Sequence, residues 1–170
     1  AIADTLTGKI DAIFHEIEPA GVSELLRAHI RVTGKSLLAI AIDSPARAKR
    51  DSKETRSAER ALAKRGYHPF WTPQLPSSQS EWMENGERLF KTLGAEFPDV
   101  KLIETYPTAV SDRIHGDEIY FDLSLFHGRE MRKHYLDFID AMLAADTARL
   151  EIFKKTEYLG LDDEIGPIVL

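Results

Sequence analysis

Two apolar runs frame this chain. Leu37-Leu38-Ala39-Ile40-Ala41-Ile42 is unbroken and ends on Asp43-Ser44-Pro45, and Val100-Lys101-Leu102-Ile103 ends on Glu104, with Pro107 close behind. Such runs lack the alternation of a half-exposed strand and read as strands buried on both faces. They predict strands over about 36–43 and 100–105. Around them the spacing turns helical. Val22, Leu25, Leu26 and Ile30 share one face of a helix from Pro19 to Ile30. Trp82, Gly86, Leu89, Phe90 and Leu93 share a face of a second helix, capped by Ser78 with Glu81 and stopped by Gly94. Another helix, at about 53–65, opens at Asp51 or Ser52, with Glu54 completing the capping pattern, and stops at Gly66. The longest helical pattern runs from Arg129 to Lys155, with Tyr135, Phe138, Ile139, Met142 and Leu143 as its apolar stripe.

The intervening segments are less regular. Ala1 to Ala3 and Lys9 to Glu16 read as hairpin arms around Asp4 to Gly8, the first arm short enough to be a truncated strand. Tyr67 to Ser78 is a loop, 106–127 a short helix with loops, and Ile165 to Leu170 a final strand or tail. Strands alternating with helices predict one α/β domain over residues 1–170, built on a mixed sheet.

Composition narrows the class. A chain of 170 residues, 43% hydrophobic and 29% charged, is large and apolar enough to fold as one globular domain. No apolar run reaches the roughly 18 residues of a membrane span, and the start carries no basic-then-apolar leader, so no membrane partner is expected. The absence of cysteine removes disulfides, thiolate metal sites and cysteine nucleophiles, and makes the cytoplasm the default location. A net charge of −6 argues against a dedicated nucleic-acid binder. The charge is uneven, however. Between Arg47 and Arg65, eight basic side chains face three acidic ones, a local balance of +5. Arg47, Lys49, Arg50, Arg56 and Arg60 are candidates for attracting a phosphate backbone. The same spacing suits a solvated helix laced with ion pairs.

The candidate chemistry lies in the acids. Asp43 and Glu104 each end a buried strand, which puts them at a sheet rim, where open α/β sheets keep their ligands. Asp137 and Asp140, spaced i, i+3, project from adjacent turns of the last helix. If that helix packs on the rim, all four converge. Crowded carboxylates repel one another and take up protons unless a cation relieves them. Hard oxygen ligands select Mg²⁺ or Mn²⁺, and two such ions about 4 Å apart can activate a water for phosphodiester cleavage. Asp43, Glu104, Asp137 and Asp140 are therefore the candidate catalytic and metal-binding residues. The ordinary alternative is that the helix acids are surface residues and the strand-end acids cap the next helix.

Ala41-Ile42-Asp43-Ser44-Pro45, Glu104-Thr105-Tyr106-Pro107-Thr108-Ala109 and Asp140-Ala141 resemble segments of domain-of-unknown-function family 429. Arg56, Glu59, Leu62 and Gly66 resemble that family's Arg-x-x-Glu segment, and Gly166-Pro167-Ile168-Val169-Leu170 its closing glycine and hydrophobic stretch. Such proteins are described as predicted nucleases of the ribonuclease H-like fold. The resemblance implies a mixed five-stranded sheet flanked by helices. It also implies that Asp43 is the acid of the fourth strand and Asp140 that of the final helix, with Asp137 fitting the paired helix acids of Holliday-junction resolvases. The fold's nucleases carry an essential Asp in the middle of the first strand. Here that arm is Ala1-Ile2-Ala3, and Asp4 lies at its far end, a departure from the pattern.

Other motifs carry less. Gly34-Lys35-Ser36 mimics the end of a phosphate-binding loop, but His29 stands where the loop needs a glycine, and the segment precedes a strand. His134 lies three before Asp137 and can serve that acid as hydrogen-bond partner or move a proton. Tyr67-His68-Pro69-Phe70-Trp71-Thr72-Pro73 reads either as buried anchors of a long connection or as a base-stacking loop. Arg129, Arg132 and Lys133 offer further basic charge. The resulting expectation is a metal-dependent nuclease. The alternatives are a non-catalytic binding or scaffold module of the same fold, and a phosphotransferase or phosphatase acting on a small molecule.

Overall fold

The computed structural model describes residues 1–14, 17–75, 80–113 and 134–170. Helix α1 (Pro19–Thr33) starts on a proline, whose fixed φ and missing N–H suit a first turn. It ends where Gly34, at φ 67°, returns its amide to the Ile30 carbonyl. Strands β3 (Ala39–Ile42) and β4 (Lys101–Thr105) run parallel, Ala39 beside Lys101 and Ile42 beside Glu104. Helix α2 (Ser57–Lys64) and α3 (Glu81–Glu96) lie between them in sequence, so the crossover is helical, as parallel pairing requires. Gly94 lies inside α3, which runs on to Glu96 and is capped at Phe97, since Pro98 cannot continue it. Helix α4 (Pro107–Arg113) again opens on proline, and α5 (Tyr135–Ile152) is the long final helix. The expected cap at Ser78 and the basic residues Arg129, Arg132 and Lys133 fall outside the described residues.

Two short strands complete the sheet. β5 (Tyr158–Leu159) pairs antiparallel with β6 (Ile168–Val169), and β6 pairs parallel with β4, giving the order β3-β4-β6-β5. Strands β1 (Ile2–Ala3) and β2 (Ile10–Ala12) form a separate antiparallel ribbon. Among the described residues the chain is thus a mixed α/β fold of five helices, a mixed four-stranded sheet and a two-stranded ribbon, where a single five-stranded sheet was expected. Lys35 ties the ribbon down, with its Nζ 2.9 Å from Asp4 Oδ2 and 2.7 Å from Asp11 Oδ2. Asp4 also accepts from the Leu6 and Thr7 amides and so closes its own turn.

The core gathers Ala58 and Leu62 of α2, Ala109 and Val110 of α4, Leu143 of α5 and Ile168 of β6. Packing elsewhere is less complete. β3 is an edge strand, and on its open side lies a cleft of about 790 Å³. Leu26 and Ile30 of α1, Ile40 of β3 and Ala144 of α5 line it, and Ile2 of the ribbon lines it too. Asp43 and Asp140 stand in the same lining.

Candidate carboxylate site

Asp43 directly follows β3 and is exposed, while Asp140 sits half-buried on the second turn of α5. Helix α5 packs along β3, and this brings together two acids almost a hundred positions apart in sequence. The protein around the Asp43 carboxyl, and then the charge of Asp140, push it up to about 6. Burial, followed by the charge of Asp137, pushes Asp140 up as well. Asp137 lies one turn earlier, exposed, with its Oδ2 3.1 Å from His134 Nδ1. The helix pair and the first strand-end acid therefore share one neighbourhood.

Glu104 does not join them. Ile42 and Glu104 are register partners and project to the same side of the sheet, and Asp43, one residue on, projects to the other. On its own side Glu104 meets Arg56. The guanidinium grips it with two 2.8 Å bonds, Nη1 to Oε1 and Nη2 to Oε2. Arg56 also donates from Nε to Asp163 Oδ1 at 2.9 Å and from Nη2 to the Gly166 carbonyl at 2.9 Å. Glu59 Oε1 stands 3.7 Å away and accepts the Thr72 amide. All four ionic side chains are buried. Burial pushes the Glu104 carboxyl up to about 7, against the pull of Arg56. Burial raises Glu59 too, with the Thr72 bonds opposing. Asp163 moves the other way: against the cost of burial, the Ala58 amide and Arg56 hold it below its usual range.

This cluster is architecture. Arg56 joins the start of α2, the end of β4 and the 160–166 loop, while Asp163 accepts the Ala58 amide and so caps α2 from a distant segment. Gly160, at φ +68°, lets that loop approach α2, and a Cβ there would lie 2.6 Å from Ala58 Cα. The expected cap at Asp51 or Ser52 is replaced by this long-range one, and the helix begins at Ser57. Two expectations are corrected here. Glu104 has both oxygens committed to Arg56, and Arg56 is 2% exposed, so it cannot reach a phosphate backbone.

The rest of the basic segment is mostly engaged. Arg47 bonds Asp51 and the Glu164 carbonyl, and Arg60 bonds the Thr55 carbonyl. Arg50 staples its loop, donating to the carbonyls of Thr72, Ser52, Lys53 and Glu54. Lys49 and Lys53 are exposed and form no ion pair among the described residues. Helix α3 also touches the site from behind. Gly86 lies against Ser44, and a Cβ on it would overlap the Ser44 side chain, whose buried Oγ has no hydrogen-bond partner among the described residues. Sequence spacing placed Gly86 on a packing face, but nothing in the sequence pointed to Ser44, Asp163 or Thr72 as distant counterparts of these elements.

The donor set is oxygen only. Among the described residues no three His, Cys, Asp or Glu side chains gather closely enough to hold an ion. Mg²⁺ keeps several of its waters and is often held by one or two carboxylates. No helix among the described residues is long and apolar enough to cross a membrane. Compared with known protein families, curated proteins and solved structures, the chain matches none.

Proposed function

We propose that this is a ribonuclease H-like domain that hydrolyses nucleic-acid phosphodiesters with the help of Mg²⁺ or Mn²⁺ held by Asp43 and Asp140. The observation that carries this reading is the approach of these two acids, from a strand end and a distant helix, in the lining of one cleft. The charge of Asp140 raises the proton affinity of Asp43, and that of Asp137 raises Asp140, a crowding that a divalent cation relieves. Such an ion supplies an activated water and charge for the leaving oxygen. Asp43 and Asp140 would hold it, and Asp137 with His134 would orient water on the exposed side of α5. Lys49 and Lys53, in the loop after Asp43, would draw the phosphate backbone toward the site.

The test has two readouts. Mn²⁺ should raise the melting temperature of the wild type and leave Asp43→Asn unmoved. Labelled DNA and RNA should be cut by the wild type alone. Equal cleavage by both proteins rejects the assignment. A non-catalytic binding module of the same fold is the second reading, favoured by the lack of a third converging ligand among the described residues. It is supported if Mn²⁺ shifts neither protein.

A further inference from the structure

Phe70 and Trp71, between α2 and α3, and Trp82 at the start of α3 present their rings to solvent, while Tyr67 packs on the core. Phe70 is 78% exposed, Trp71 48% and Trp82 40%, with Leu75 exposed beside them. Phe70 and Trp82 meet edge to face, their centroids 6.1 Å apart, so part of the cluster is held in fixed geometry. Residues 72–73 of the loop are anchored. The Arg50 amide and Nε donate to the carbonyls of Pro73 and Thr72, at 2.9 Å each, and the Thr72 side chain is buried on Glu59. Buried anchors thus hold the loop by its backbone and by Thr72, while the rings point out. The exposed Lys49 and Lys53 stand on either side of Arg50 in the chain. Trp82 lies one helical turn, about 6 Å, before Gly86, where α3 touches the residue after Asp43.

We infer that Phe70, Trp71 and Trp82, flanked by Lys49 and Lys53, form a stacking platform for single-stranded nucleic acid leading to the Asp43 site. Exposed aromatic faces take any base, and neighbouring lysines take the phosphates. The acids of the first turn of α3, Glu81 and Glu84, are exposed beside Trp82. They oppose a second row of phosphates, so the surface suits one strand rather than a duplex. The inference rests on the phosphodiesterase reading for its substrate, and its test is independent of catalysis.

Trp71 and Trp82 are the two tryptophans of the chain, so intrinsic fluorescence reports on the platform directly. The probe is a fluorescein-labelled twelve-residue oligothymidylate, titrated with Asp43→Asn protein and EDTA present to prevent cleavage. Tryptophan quenching and probe anisotropy should saturate together. Trp71→Ala should weaken binding about tenfold, and Trp71→Phe, which keeps a ring, should restore most of it. Lys49→Ala with Lys53→Ala should lower the slope of log affinity against log salt by about 1.4. Circular dichroism checks that each variant is folded. The inference is overturned by an unmoved signal, by equal affinity for a duplex of the same sequence, or by self-association that Phe70→Ala abolishes. Binding without cleavage by the wild type would remove the catalytic reading alone, and cleavage without binding at the rings would remove this one alone.

Discussion

Replacing Arg56 by Met should cost this protein a large share of its stability, and more at high pH than at low. Among the described residues Arg56 is the single cation paired with Glu104, Asp163 and Glu59, all of them buried. Methionine roughly fills the volume but leaves three buried acids facing one another without the Arg56 cation. Breaking a buried pair from one side costs about 3–5 kcal/mol. For a domain of this size each kcal/mol moves the melting temperature by about 2–4 °C, so the fall should be roughly 6–20 °C. The pH dependence follows from Glu104, whose carboxyl stands at about 7 in the folded protein against an ordinary 4.5. A carboxyl raised in the folded state destabilises that state above its folded pKa, and the cost disappears as pH falls toward the unfolded value. Without Arg56 the carboxyl rises further, so at pH 5.5 it takes up a proton and no longer needs a cation. Urea unfolding at pH 8 and pH 5.5 measures both effects, and adding Glu104→Gln to Arg56→Met should recover part of the loss. A loss below about 1 kcal/mol at pH 8, or one equal at both pH values, would refute this account of the cluster.

The same structure sets three further expectations. Gly86→Ala should destabilise by about 1–3 kcal/mol through overlap with Ser44, and Ser44→Gly should rescue it, as a double-mutant cycle in urea would report. Asp43 is raised to about 6 from 3.8, so the ion-free protein should gain stability as pH falls from 8 through 6, and Asp43→Asn should flatten that gain in the same urea assay. Leu38, 46% exposed beside the open edge of β3, should promote association between chains, and Leu38→Lys should shift sedimentation profiles at high concentration toward the monomer.

Much of the local structure was legible in the chain. The apolar periods located β3, β4, α1, α3 and α5, because a stripe of Val, Leu and Ile must be buried whatever it packs against. Boundaries were read less well where a tertiary contact overruled a local signal. Asp51 and Ser52 are good capping residues, yet α2 starts at Ser57, because Asp163 meets the Ala58 amide there. Gly94 is a good stop, yet α3 continues through it to the proline that cannot extend it. β5 has two residues and no periodicity to detect; its partner β6 defines it.

The site divides in the same way. The sequence by itself identified the acids, since a charge ending a buried strand or recurring at i, i+3 on a helix is visible without coordinates. Which of them meet was decided only by the tertiary structure. Pairing register set Glu104 beside Ile42 and so on the opposite side of the sheet from Asp43, where Arg56 claimed it. The packing of α5 along β3 brought Asp140 to Asp43 instead. The direction of a side chain off a strand depends on a one-residue choice of register, and no pattern within either strand records that choice.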